Sequence, residues 1–281
     1  MGNPYRFHDR MVMKDDLDII NHIDHNSECA APHGRLFQIL GRNPKTGNRV
    51  VKEIACNTVV VGGAIRALEN LTGLTAEWEP GTINSIRGIS ATSNATPVLA
   101  LFGIGTGGAN LDFGSVIDPD IKQRDLRSAI PMRYTEVLSG DDADKYFLKT
   151  DAQNPDGTFS WWGKRFTGVP IIKTCWKNST DPDEDGTEVT SEIYDSKETT
   201  GLETFCEVQV DLGIKDGREY FQATGQLDTA RYNEMAFYTG SLNDAGTEYA
   251  KVRLYSTISF NNKDLVLKTK SSFLYRIYSL I

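Results

Sequence analysis

Apolar and polar positions along this chain follow two different periods, and the change from one to the other divides it. Residues 34–57, GRLFQILGRNPKTGNRVVKEIACN, hold two apolar-rich runs around NPKTGN. The Asn, Pro and Gly of that centre each favour a turn for a separate dihedral reason, which predicts a β-hairpin. The next stretch, NTVVVGGAIRALENLTG, places Val61, Ile65, Leu68 and Leu71 at helical spacing, with Gly73 where a C-terminal cap belongs. It predicts one helix, despite the cost of Gly62 and Gly63 inside it.

Beyond the helix the period falls to two. In TFCEVQVDL, Cys206, Val208, Val210 and Leu212 alternate with Glu207, Gln209 and Asp211, the pattern of a strand with one wet face. VRLYSTISF repeats it, with Val252, Leu254, Ile258 and Phe260 on one side, and SSFLYRIYSLI reads as a further strand. Turn-rich stretches such as AQNPDGT, NSTDPDEDGT, IKDG and LNDAGTE punctuate these runs. Many short strands separated in this way predict a mainly β protein: an antiparallel β-sandwich or jelly-roll-like domain over 85–281, preceded by the hairpin and helix over 34–84. Residues 1–33 are polar, contain all four histidines together with Pro4 and Pro32, and read as an N-terminal arm with a short helix at 14–25. No fixed-period repeat is visible, which argues against a solenoid or propeller.

Composition narrows the class. With 281 residues, 39% of them hydrophobic, the chain can bury a real core. A formal net charge of -8 without a dense Lys/Arg run argues against wrapping nucleic acid through its phosphates. No window approaches the about 18 apolar residues of a membrane helix, and no apolar stretch follows a basic start, so a soluble protein made in a cytoplasm is expected. The four cysteines, Cys29, Cys56, Cys175 and Cys206, show no CxxC pairing and read as small core residues in a reducing compartment.

Four motifs could carry chemistry. Gly103, Gly105 and Gly108 spell GxGxxG after an apparent strand, but the following NLDFGSVIDPD has no helical stripe to receive a pyrophosphate, so tight packing is the favoured role. DPDEDGTEVTSE matches the calcium-loop spacing: Asp181, Asp183 and Asp185 as oxygen donors, Gly186 for the turn, the Thr187 carbonyl, and a bidentate Glu192. Pro182, Glu188 at an apolar position, and strand-like flanks argue against an EF-hand, leaving a calcium loop of another fold or a solvated acidic turn. His22, His25, Cys29 and His33 carry a zinc-type donor set, but Pro32 breaks the helix that would align them. Trp161 and Trp162 could stack on a sugar; as strand neighbours they point to opposite faces, which favours burial of at least one. Neither a nucleophile elbow, nor HExxH, nor a phosphate-loop motif occurs, so no catalytic residues are expected.

The last fifty residues resemble a C-terminal pattern of tailed-bacteriophage tail, baseplate and fibre-associated proteins. The matching positions are Asn233 and Glu234 as an "NE", the strand 252–260 ending in Phe, a lysine-bearing turn with Lys263 or Lys268, and a final strand over 273–281. Where such proteins usually carry Pro after the Phe, this chain has Asn261. The resemblance implies a non-enzymatic virion subunit of the neck, tail or baseplate, made in the host cytoplasm and assembling as a homo-oligomeric ring with other virion proteins. A host-receptor or glycan-binding tail module is the alternative it leaves, with a tail-associated hydrolase as the enzymatic rival.

Overall fold

The computed structural model describes residues 33–76, 93–110, 115–177, 185–189, 201–265 and 270–279. The predicted arm, with His22, His25 and Cys29, lies outside these residues, as do Asp181, Asp183 and Glu192. His33 opens the first strand.

The protein is mainly β, two antiparallel sheets packed face to face with two helices. In chain order the strands are β1 (His33–Arg42), β2 (Arg49–Cys56), β3 (Thr58–Val59), β4 (Val98–Gly105), β5 (Ala129–Ile130), β6 (Arg133–Thr135), β7 (Tyr146–Lys149), β8 (Phe159–Arg165), β9 (Thr167–Trp176), β10 (Thr187–Glu188), β11 (Leu202–Leu212), β12 (Arg231–Leu242), β13 (Tyr249–Asp264) and β14 (Ser271–Ser279); the helices are α1 (Val61–Thr72) and α2 (Arg218–Ala223). The first sheet runs β10-β9-β11-β14-β1-β2, and the second β3-β13-β12-β4-β8-β6, with β5 on β4 and β7 on β8. The predicted hairpin is β1 and β2. It is not separate from the sandwich: β1 is hydrogen-bonded to β14, with Leu36 opposite Tyr275.

The core between the sheets is built from alternate residues of each. Leu36, Val208, Val210, Phe273 and Tyr275 come from the first sheet, and Phe102, Ile104, Met235, Phe237 and Ile258 from the second. Phe237 and Tyr275 stack across the interface with centroids 3.8 Å apart. The Tyr275 hydroxyl accepts from Asn57 Nδ2 at 2.7 Å and meets Ser256 Oγ at 2.8 Å, which removes the cost of burying it.

Two features of β13 and β2 differ from the sequence pattern. Val252 and Leu254 pack on the outer side of the second sheet, whereas Ile258 and Phe260 face the inter-sheet core. Between them the register slips: Phe237 pairs with Ser256 but Tyr238 pairs with Leu254, so Tyr255 is an extra residue on β13. A bulge of one residue reverses which face every later side chain takes, and so the four positions do not share a side. The second is Cys56, read as core, which is exposed at the end of β2.

Helix α1 has the predicted start and stop. Gly73 closes it at φ 70°, its N–H bonded to the Glu69 carbonyl. The buried face is reversed: Gly62, Gly63 and Arg66 are buried, while Leu68 is 60% exposed and Leu71 81%. Gly63 explains why. A Cβ there would lie 2.0 Å from the Tyr255 carbonyl oxygen, so the helix backbone rests directly on β13 along its glycine side. Arg66 and Arg253 then both reach Glu69, at 2.9 and 3.5 Å, under the helix.

Candidate functional site

The polar residues of β11, predicted to face water, are covered. Glu207 and Asp211 are 4% and 3% exposed, buried on the face of the first sheet that points away from the second. That face carries its own small apolar layer of Phe37, Val51, Phe205, Leu274 and Tyr278. The β1–β2 hairpin is bent by two register shifts, and the N–H of Asp185 donates to the carbonyl of Arg49 near the hairpin turn. The segment before β10 thereby meets the far end of the hairpin over β11 and β14.

A charge cluster sits under this junction. Arg276 lies between the rings of Phe37 and Phe205, 4.9 and 4.7 Å from their centroids. Its Nε donates to Glu207 at 2.8 Å and its Nη2 to Asp185 at 2.5 Å. Arg49 donates from Nε to Asp185 and from Nη2 to Glu207, both at 2.8 Å, and Lys173 stands 3.6 Å from Glu207. Burial alone would raise the Asp185 carboxyl; Arg276 and then Arg49 outweigh it and hold it below the usual carboxylate range. Arg49, Lys173, Asp185 and Glu207 form part of the wall of an open cavity of about 570 Å³, whose lining also includes Arg42, Asn48, Val169, Ile171 and Gln209.

Of the calcium-loop residues, the structure therefore places Asp185 and Thr187. Both Asp185 oxygens are held by guanidinium groups, which already bring the positive charge a calcium ion would supply. Thr187 pairs with Trp176 in the sheet. Among the described residues no group of three or more His, Cys, Asp and Glu side chains is arranged to hold a metal.

The glycine motif and the "NE" pair, 125 residues apart, meet on the outer face of the second sheet. Asn233 Oδ1 accepts from the Gly108 N–H at 2.7 Å, and its Nδ2 donates to Asn262 Oδ1 at 2.9 Å. A Cβ on Gly108 would lie 2.2 Å from the Asn233 carbonyl oxygen, so this glycine is required by close backbone packing and not by a phosphate. Glu234 is fully buried, accepting from Gln123 Nε2 at 2.8 Å and from the Arg127 N–H at 3.1 Å. Burial pushes its carboxyl above the usual range, and these two donors reduce the shift without cancelling it.

Trp161 packs against the inter-sheet core and Trp162 against the outer apolar layer of the second sheet. Trp162 Nε1 donates to Thr150 Oγ1 at 2.9 Å. Both rings are half-buried.

A third buried cluster was not foreseen from sequence. Lys164 on β8, Tyr146 on β7 and Asp216 in the turn after β11 converge at the edge of the core. Arg133 nearby forms a two-bond pair with Glu219 at 2.9 and 3.0 Å. Its only sequence signal is a lysine in the apolar-flanked run WWGKRF, which is weak because strand lysines usually face water.

The described surface also shows large apolar side chains. Leu68, Leu71 and Leu74 stand out from α1 and the residues after it, and Val169 and Ile172 are each 79% exposed on β9. Among the described residues, β10 pairs with β9 at Cys175 and Trp176 and the Val189 N–H donates to the Thr174 carbonyl, and no strand pairs with the earlier part of β9 on that side. Pro170 and the register shift between Glu207 and Gln209 interrupt this edge, a usual guard against uncontrolled pairing. Compared with known proteins, the chain matches no family model, and neither a curated protein nor a solved structure shows significant similarity to it.

Proposed function

We propose that this chain is a non-catalytic structural subunit of a tailed-phage virion, of the neck, tail or baseplate, working through contacts with copies of itself and with other virion proteins. The virion assignment is supported by the C-terminal sequence resemblance alone. The structural reading is carried by one observation: the buried carboxylates of the described residues are engaged by guanidinium, ammonium or amide groups within the fold, whereas leucine is turned outward on α1. Asp185, Glu207 and Asp216 are each held on both oxygens.

Native mass spectrometry of the full chain tests the assembly. Oligomers are expected, and Leu71→Asp with Leu74→Asp should shift them toward monomer. Both positions are exposed, so the fold should lose no more than about 0.5 kcal/mol per substitution. A chain that stays monomeric at every concentration, and is missing from purified phage particles by peptide mapping, would rule the reading out.

A further inference from the structure

We propose that Lys164 and Asp216 form an intramolecular isopeptide bond, a covalent link between the two sheets. This inference does not depend on the assembly reading. It starts from a buried amine held against a buried carboxylate: Lys164 Nζ is 2.6 Å from Asp216 Oδ2, and the two residues are 8% and 1% exposed. Lys164 Nζ also donates to the Asp211 carbonyl at 2.7 Å. Asp216 Oδ2 accepts from the Gly213 N–H at 2.6 Å, and Oδ1 accepts from the Tyr146 hydroxyl.

Three features distinguish this pair from the arginine clusters elsewhere in the molecule. The nitrogen is an amine, a nucleophile once it has lost a proton, where guanidinium is not. The contact is shielded from water on a rigid strand and a closed turn, the condition under which an intramolecular reaction gains most from orientation. Burial, and next the Asp216 charge, hold the Tyr146 phenol well above its ordinary value, so it remains a hydrogen-bond donor.

The step balances without a co-reactant. The Lys164 ammonium passes one proton to Asp216 Oδ2, and the freed lone pair attacks Cγ, forming the N–C bond. Negative charge develops on Oδ1, where the Tyr146 hydroxyl donates. A second proton moves from nitrogen to Oδ2, the Cγ–Oδ2 bond breaks, and that oxygen departs as water. The amide keeps the third proton. Next to Gly213 and Asp216 lies a cavity of about 10 Å³, close to the room one water needs. The product joins β8 of the second sheet to the segment that follows β11 of the first.

Intact mass of the denatured full-length chain tests this. The expected result is a mass lower than the sequence by one water, with a branched peptide joining Lys164 to Asp216 after digestion. Asp216→Asn should lose one ammonia instead, while Lys164→Arg and Asp216→Ala should keep their full sequence masses. Tyr146→Phe should accumulate the linked form more slowly, and an equal rate would remove the part assigned to Tyr146. A folded wild-type chain that retains its full mass after prolonged incubation at neutral pH overturns the proposal, whatever the variants do.

Discussion

Glu207 and Glu234 occupy matching places, one on the outer face of each sheet, both almost fully buried, yet their surroundings are opposite in kind. Glu207 is bonded by Arg49 and Arg276, with Lys173 nearby. Glu234 is bonded by a side-chain amide and a backbone N–H. A buried carboxylate bonded by cations becomes costly to remove, because its removal leaves them buried without that partner. One whose hydrogen bonds come from neutral donors is held in place but pushed by burial toward its protonated form. The first sheet is thus closed on its outer side by charge, the second by close glycine packing.

The sharpest way to break this contrast is Glu207→Ala, which takes from Arg276 one of its two carboxylate partners. It should cost about 3–5 kcal/mol, read as a lowered urea midpoint. Gly108→Val addresses the other sheet: its side chain would collide with the Asn233 carbonyl, and a loss of about 1–3 kcal/mol is expected in the same measurement. Tyr146→Phe, which removes one hydrogen bond to the buried Asp216, should cost about 1–3 kcal/mol.

The pH dependence separates the two outer clusters by sign, through Glu234 in one and Asp185 in the other. The folded-state value of Glu234 lies above its unfolded one, so between those values the folded chain holds the proton more tightly and stability falls as pH rises through the window. Glu234→Gln should therefore be more stable than wild type at neutral pH, with the difference closing as the medium is acidified. Asp185 behaves oppositely: its folded value is lowered, so its contribution is present above the ordinary carboxylate value and disappears as pH falls through the folded one. Asp185→Asn should flatten the acid limb of the melting-temperature profile, and an unchanged limb would disconnect that aspartate from it. The smallest effect expected is that of a calcium chelator, which should leave the melting temperature unchanged because Asp185 is already committed to two arginines.

These differences show where sequence is informative. The hairpin, the limits of α1 and the alternation of Val208, Val210 and Leu212 were legible, because turn chemistry, a glycine cap and period-two burial are local. The outer clusters were not. Arg49 meets Asp185 and Glu207 across 136 and 158 positions, and nothing near any of the three announces the others. The polar side of β11 was read as wet because charge usually marks solvent, but arginines delivered by β2 and β14 make its burial tolerable. The bulge at Tyr255 left no signal in composition, yet it exchanged the faces of two pairs of apolar residues. For α1 the leucine spacing was real, and a glycine pair decided which side rested on the sheet.

The pairing of β1 with β14 has a consequence for how the molecule is made. The hairpin is synthesised before every strand of the second sheet, but its hydrogen-bonding neighbour β14 comes only after all of them. Until then its inner edge has no native partner, and Leu36 has no Tyr275 to pack beside. Completion of the first sheet must therefore wait for β14, and the nascent chain depends on remaining uncommitted to other copies until that strand arrives.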